Sequence, residues 1–282
     1  MAPISEADLR LVRALVAEDA GIELDEGRSH LVEAGLWDVA RERGLDGPEA
    51  VLARLRTGRD PGLRRRVVEA MTIHESSFFR DGHPFEALRD VVLPALVRAR
   101  RAERRLRIWS AAAAAGQEAY SVAMLLVDHF PQVAQWDVEI LGTDIARDQV
   151  ERARTGVFGE HELRRGVPEA LRRRHFEAVE GGWRASARLR RLVRFEVVNL
   201  AGAWPRLPRM DLVLLRNVLI YFPLDLRERV LERTRRVMAD DGWLLLGATE
   251  TTIRLGARFE RVVVGATAFY RPALESSGVG QV

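Results

Sequence analysis

Cysteine and lysine are both missing from this 282-residue sequence. Without cysteine there is no disulfide, no thiolate nucleophile and no cysteine-ligated zinc, which fits a reducing, cytoplasmic setting. Without lysine there is no Schiff-base amine and no P-loop lysine. All 44 basic residues are therefore arginine, set against 41 acidic residues for a net charge of +3. The isoelectric point is high because arginine does not titrate below about pH 12, not because the charge is lopsided. Long apolar runs are missing too: "DLVLLRNVLIYF" is broken by charge and too short to span a bilayer. "MAPISEADLR" lacks the basic-then-apolar pattern of a secretory signal. No metal site is expected.

What is present is a change of rhythm. "EADLRLVRALVAEDAG" places Leu9, Val12, Leu15 and Val16 at helical spacing and stops at Gly21. "RSHLVEAGLWDVARERG", "GPEAVLARLRTG" and "PGLRRRVVEAMT" follow as three more helices, so residues 1–75 read as a small helical domain. After residue 105 strands and helices alternate. "LRIWSA", "VEILGTDI", "VRFEVVNL", "MDLVLLRN" and "GWLLLGAT" read as strands, with helices from Gln117 to about His129, in "ARDQVERARTG" and in "PLDLRERVLERTRRVMADDG". This alternation implies an α/β fold with a mostly parallel sheet covered on both faces. "FERVVVGATAFYRP" reads as two short strands joined at Gly265, adding antiparallel pairing at one edge. "LRRRHFEAVEGGWRASARLRRLVRF" interrupts the alternation, and Gly181-Gly182 marks a hairpin in a small antiparallel insertion at about 172–196. Residues 273–282 are polar and expected to be disordered.

Ligands of open α/β sheets bind beyond the carboxyl ends of the strands. There the sequence places Ser110 to Glu118, Asp144, Asn199-Leu200, Arg216 to Tyr221, and Thr249-Glu250. Asp144 suits a ribose diol, or caps the next helix. Glu118 could bind a cationic amine, or complement a helix dipole. Asn199 could read an adenine edge. Together they point to an adenosine cofactor bearing an amino group. S-adenosylmethionine fits better than NAD, because five alanines and one glycine stand where a pyrophosphate-cradling GxGxxG would be. Small alanines let a ligand close, but the loop is then expected to hold ordinary backbone angles. "SSFFRD" offers Phe78-Phe79-Arg80 as aromatic surface and a cation, or as a hinge between domains.

These residues carry a resemblance. "TIHESSFFRD", "RIWSAAAAAGQEAYSVAMLL", "GTDIARDQVERARTGVF", "VNL", "LLRNVLIYF" and "DDGWLLLGATET" resemble the chemotaxis-receptor glutamate methyltransferases, the CheR family, in order from about Gly21 to Tyr270. The resemblance implies a Rossmann-like methyltransferase domain, here 76–272, carrying a β-subdomain and preceded by the helical domain. It implies S-adenosylmethionine as donor, S-adenosylhomocysteine as product, and a glutamate of an acidic, chemoreceptor-like protein as acceptor. His74, Ser76, Arg80, Glu118, Asp144, Asn199, Leu200, Arg216 and Asn217 fall on cofactor-contacting positions. Arg80 and Tyr221 fall where residues assist transfer. Phe78, Phe79, Tyr221 and Phe222 are expected to wall the site against water.

The departures are specific. His74 stands where the family usually has Asn, Gln117 replaces the first of two acidic residues, and Ala114-Ala115 replace a small hydroxyl pair. Receptor-methylating relatives carry arginines on their second helix. Here Gly35, Asp38 and Val39 align with such positions and only Arg41 keeps the charge. The segment around Gly181-Gly182 is short for a loop that grips a receptor's C-terminal peptide. An acceptor docking elsewhere could use Arg64, Arg65 and Arg66. Two alternatives stand beside the enzyme reading: an inactive cofactor-binding adaptor, and a nucleic-acid methyltransferase. The latter is disfavoured because no aromatic stacking platform or long basic groove stands out, so no nucleic-acid partner is expected.

Overall fold

A computed structural model describes residues 4–25, 27, 29–252 and 258–273. The expected disordered tail falls, but for Ala273, outside these residues. The four N-terminal helices are α1 (Glu6–Ala20), α2 (Ser29–Glu42), α3 (Pro48–Arg56) and α4 (Pro61–Ala70). Their ends follow local chemistry. The Ser5 side chain accepts the Asp8 N–H at the start of α1, and Gly21, left-handed at φ 68°, ends it. The Asp60 side chain accepts the Leu63 N–H and Pro61 opens α4.

Next come α5 (His83–Ala87), a π turn over Leu88–Val92, and α6 (Leu93–Ala99), in a stretch that the sequence pattern left unread. The alternating part runs β1 (Arg105–Ala111), α7 (Gln117–His129), β2 (Asp137–Asp144), α8 (Arg147–Thr155). Then follow β3 (Val157–Phe158), α9 (Glu160–Gly166), α10 (Glu169–His175), β4 (Phe176–Val179), β5 (Gly182–Ala185) and α11 (Ala187–Arg190). The chain continues as β6 (Val193–Val197), β7 (Met210–Leu215), α12 (Leu224–Val237), β8 (Met238–Leu246), β9 (Phe259–Val264) and β10 (Thr267–Pro272).

Seven strands form one sheet in the order β6-β2-β1-β7-β8-β10-β9. The first five are parallel, and β10 pairs antiparallel with both β8 and β9. Strand β7 is buried at every position, as the apolar run in "MDLVLL" requires of a central parallel strand. A second, antiparallel sheet has the order β3-β5-β4. It begins at Val157, earlier than the expected 172–196, and β6, which starts inside those bounds, pairs with β2 in the large sheet. A two-residue strand such as β3 is too short to show any period in the sequence.

Each face of the large sheet is covered. One apolar cluster joins Leu88, Leu93, Leu126 and Phe158 to Ile108 and Leu212. The other joins Val12, Leu36, Val51 and Val67 of the N-terminal helices to Trp109, Val213 and Leu244. The N-terminal helices therefore share a core with the sheet. Among the described residues, no helix is long and apolar enough to cross a membrane.

Candidate active site

Strand order reverses between β1 and β7, which opens a crevice at their carboxyl ends. A cavity of about 870 Å³, its open mouth included, lies there. His74, Ser76, Arg80, Glu118, Asp144, Asn199, Leu200, Arg216, Asn217 and Tyr221 all line it. The structure thus brings together the ten residues assigned to cofactor contact or transfer, whereas Ser110, Thr249 and Glu250, also placed at strand ends by the sequence, do not line the cavity.

The loop after β1 is tied to the end of β2. Ala113 N–H donates to Thr143 O at 2.8 Å, and Ala114 N–H donates to Asp144 Oδ2 at 2.8 Å. Holding both bonds puts Ala112 at φ 56° and Ala114 at φ 47°. Ordinary backbone angles were expected for this loop, so that expectation is corrected. Two alanines occupy the left-handed region that glycine would enter freely.

Asp144 is buried, and its Oδ1 accepts the Ala146 N–H at 3.0 Å. The helix N-cap is Ala146 itself, so Asp144 is not the capping residue. Burial pushes its carboxyl above the usual carboxylate range, against the pull of His74 and of the N–H groups of Ala146, Ala114 and Ile145. His74 Nδ1 lies 3.9 Å from Asp144 Oδ1, and its Nε2 meets Thr72 Oγ1 at 2.7 Å.

Glu118, in the first turn of α7, accepts the Ser110 hydroxyl at 2.7 Å and pairs with Arg216 Nη1 at 3.0 Å. Arg216 Nη2 reaches Asp81 Oδ2 at 2.7 Å and Arg80 O at 3.1 Å, and its buried Nε has no hydrogen-bond partner among the described residues. Arg80 Nη1 donates to Glu75 O at 2.9 Å. The Asn199 amide is partly committed: Nδ2 donates to Asp19 O at 2.6 Å and Oδ1 accepts the Ala201 N–H at 2.9 Å. One N–H and one lone pair remain for a base edge.

The expected aromatic wall needs correction. Tyr221 and Phe222 line the cavity, but Phe78 and Phe79 do not. Phe78 is buried against Phe158 and Phe176, with ring centroids 4.8 and 5.7 Å away, and Phe79 packs on Phe85. The reason is geometric: the left-handed Phe79 (φ 48°) and Asp81 (φ 72°) send both rings into the core while Arg80 lines the cavity. Ala20 and Ile22, at the end of α1, also line it, and Glu23 N–H donates to Tyr221 O at 2.9 Å. Nothing in the sequence pattern marked these contacts, because they depend on how the helices dock on the sheet.

The family model described as "CheR methyltransferase, SAM binding domain" matches residues 74–266. The chain belongs to the CheR methyltransferase family. It is 34% identical to the Pseudomonas aeruginosa "Chemotaxis protein methyltransferase 1" over 272 residues, covering 95% of this chain and 98% of that one. It is 34% identical to the Vibrio cholerae protein of the same name, over 92% of this chain and 94% of the relative. The Escherichia coli "Chemotaxis protein methyltransferase" is 30% identical over 91% of this chain and 88% of its own. This CheR-family chain is an S-adenosylmethionine-dependent methyltransferase.

The site fits that cofactor. Asp144 Oδ1 and Oδ2 are held by main-chain donors and keep lone pairs for hydroxyl groups. Ile145, Val198 and Leu200 supply apolar lining suited to a flat base. Arg216 is matched by two carboxylates, Glu118 and Asp81. With Asp144 ionised, the carboxylates lining the cavity, Glu75, Glu118 and Asp144, outnumber its guanidinium groups, Arg80 and Arg216, which favours a cation.

Proposed function

We propose that this protein methylates glutamate side chains of an acidic, chemoreceptor-like protein in the cytoplasm, without a nucleic-acid partner. The observation that carries the reading is Arg80. Among the described residues lining the cavity, Arg216 is neutralised by Glu118 and Asp81, whereas the one hydrogen bond of the Arg80 guanidinium is to the Glu75 carbonyl. Its remaining donors are free to meet a carboxylate.

Bound S-adenosylmethionine supplies a methyl group on a positively charged sulfur, open to in-line displacement. A glutamate is ionised at pH 7 and needs no general base. The site is built accordingly, from positioning and electrostatic groups rather than from a nucleophile and its base. Arg80 orients the acceptor carboxylate through one or two of its free donors. It must not neutralise the acceptor fully, since the oxygen's electron pair forms the new bond. Tyr221 offers a hydroxyl near the reacting atoms. Ile22, Leu200 and Phe222 exclude water, so mutual neutralisation of the two reacting charges is favoured over separate solvation.

The test is incubation with methyl-labelled S-adenosylmethionine and lysate of the native host. A base-labile label on an acidic signalling protein is expected. Label that survives base, or that resides in nucleic acid, would overturn the reading.

A further inference from the structure

Strand β8 ends at Leu246, and a turn follows in which Glu250 N–H donates to Gly247 O at 3.0 Å. The turn brings the Glu250 carboxylate against the segment after β7. The residue is 8% exposed. Its Oε2 accepts the N–H of Asn217 at 2.8 Å and of Gly247 at 2.7 Å, and its Oε1 accepts the N–H of Ile220 at 3.3 Å. All three donors are main-chain groups. A buried anion held this way anchors the backbone rather than serving as half of an ion pair.

The anchored backbone is that of the active site. Asn217 and Tyr221 line the cavity, and Asn217 sits in the left-handed region at φ 58°. Asparagine enters that region more readily than most residues, but the conformation still needs support. The approach is close: a Cβ added to Gly247 would fall 2.6 Å from Glu250 Oε2 and 2.9 Å from both Asn217 nitrogens. On the other side, Glu23 N–H holds Tyr221 O at 2.9 Å.

We propose that Glu250 is a positioning residue for methyl transfer. It fixes Asn217 and the short turn through Ile220 so that Tyr221 meets the reacting groups. This deepens the methyl-transfer reading above and rests on it. Glu250 does not line the cavity; in this proposal it acts through the backbone of Asn217 and Tyr221, which do.

Glu250→Gln keeps the shape and replaces one acceptor oxygen with an NH2 group, so at least one of the three N–H groups loses its acceptor. Gly247→Ala crowds the same contact from the other side. Asp211→Asn is the control. Asp211 is also a buried carboxylate that accepts a main-chain N–H, that of Arg107 at 2.7 Å, and it further accepts from Arg100 Nε at 2.6 Å, but at the opposite end of β7. Amide exchange, kcat and cofactor Kd are measured at a temperature where all variants are folded.

In Glu250→Gln, exchange at Asn217 and Ile220 should rise about tenfold or more, and kcat should fall about tenfold while cofactor Kd changes less. Gly247→Ala should move in the same direction. Asp211→Asn should lower Tm and leave kcat unchanged. The proposal is overturned if Glu250→Gln keeps the natural kcat, or if Asp211→Asn lowers kcat equally at a matched loss of Tm. If the natural protein esterifies no glutamate, the methyl-transfer reading fails by itself. Exchange then decides for Glu250, and unchanged rates at Asn217 and Ile220 overturn its positioning role.

Discussion

Arg216 and Glu118 meet at 3.0 Å beyond the ends of β7 and β1, although 98 positions separate them in the chain. The Arg216 side chain is only 3% exposed and also holds Asp81 and the carbonyl of Arg80. One guanidinium therefore joins the first turn of α7 to the turn that carries Arg80. Removing it would leave Glu118 and Asp81 without their shared cation. Arg216→Met is expected to cost about 3 kcal/mol of stability, as for other buried pairs broken on one side. Urea unfolding checks this. A loss under about 0.5 kcal/mol, the size of an exposed pair, would show that solvent already screens the cluster.

The alanine loop gives an opposite expectation. Ala112 and Ala114 each hold a positive φ, at a steric cost of about 1 kcal/mol or more. Glycine removes that cost but adds about 0.5–1 kcal/mol of chain entropy to be lost on folding. The steric term wins at these angles. Ala112→Gly and Ala114→Gly should each stabilise the protein by a few tenths to about 1 kcal/mol. Thermal unfolding measures it, and a lowered Tm for both would mean that the loop carries no strain.

These alanines also mark where sequence reading stops. Helix α7 begins and ends where its pattern says, because Gly116 precedes it and apolar residues recur along it. The parallel strands were legible as continuous apolar runs, but their ends less so: β6 stops at Val197, β7 at Leu215, and β8 begins at Met238, inside the stretch read as helix, because "VMADDG" carries no period of its own. Backbone angles left no trace, since alanine is neutral evidence about φ. The direction of Phe78 was illegible for the same reason: two left-handed residues beside it turn the ring into the core. Ala20 and Ile22 were missed because packing of the N-terminal helices on the sheet, not any local spacing, carries them to the cavity.

Asp144 gives a pH dependence with a definite sign. Its carboxyl is raised by burial. In the free protein, its contribution to stability is therefore fully present below the ordinary value of 3.8 and lost as pH rises through the raised one. Cofactor binding runs the other way, because hydroxyl donors need the ionised form. Affinity for S-adenosylhomocysteine should fall as pH drops through the raised value, at a higher pH than an ordinary aspartate titrates. Calorimetry across pH tests this, with His74→Asn to remove the nearby imidazole. Affinity that stays flat down to 3.8 in both proteins would remove the carboxylate from the binding step. Asp144→Ala should weaken binding by about 1.5–3 kcal/mol at neutral pH.

Turnover should depend on Arg80 and Tyr221 more than cofactor affinity does. Arg80→Ala removes the cation proposed to meet the acceptor, and Tyr221→Phe removes one hydroxyl while keeping the ring. Each is expected to lower kcat by about tenfold or more, with cofactor Kd changed by less than about threefold. Full turnover in Tyr221→Phe would reduce that residue to packing.

Helix α2, which resemblance to receptor-methylating relatives suggests as a docking surface, offers little positive charge in this protein. Of the α2 positions matched to arginines in receptor-methylating relatives, Gly35 and Val39 are buried. A Cβ on Gly35 would meet the Met71 methyl at 2.7 Å and the Ala70 carbonyl at 3.0 Å, so a longer side chain there would have to displace Met71. The exposed pair is Asp38 and Arg41, and they bond to each other. The charge of Arg41 is thus spent within its own helix. The alternative basic surface on α4 is also largely occupied: Arg64 pairs with Asp19 and Glu18, and Arg66 pairs with Glu42, which leaves Arg65. An acidic receptor helix would therefore find little net positive charge on α2, and long-range attraction sets association rate more than final affinity. The natural enzyme should methylate a conventional receptor cytoplasmic domain slowly, and equally with or without the receptor's C-terminal tail. Asp38→Arg both removes the internal partner and adds a cation, so kcat/KM should rise by about tenfold at low salt and less at high salt. Efficient methylation by the natural enzyme, unimproved by Asp38→Arg, would show that docking does not use the charge of α2 and that the protein serves ordinary receptors by another contact.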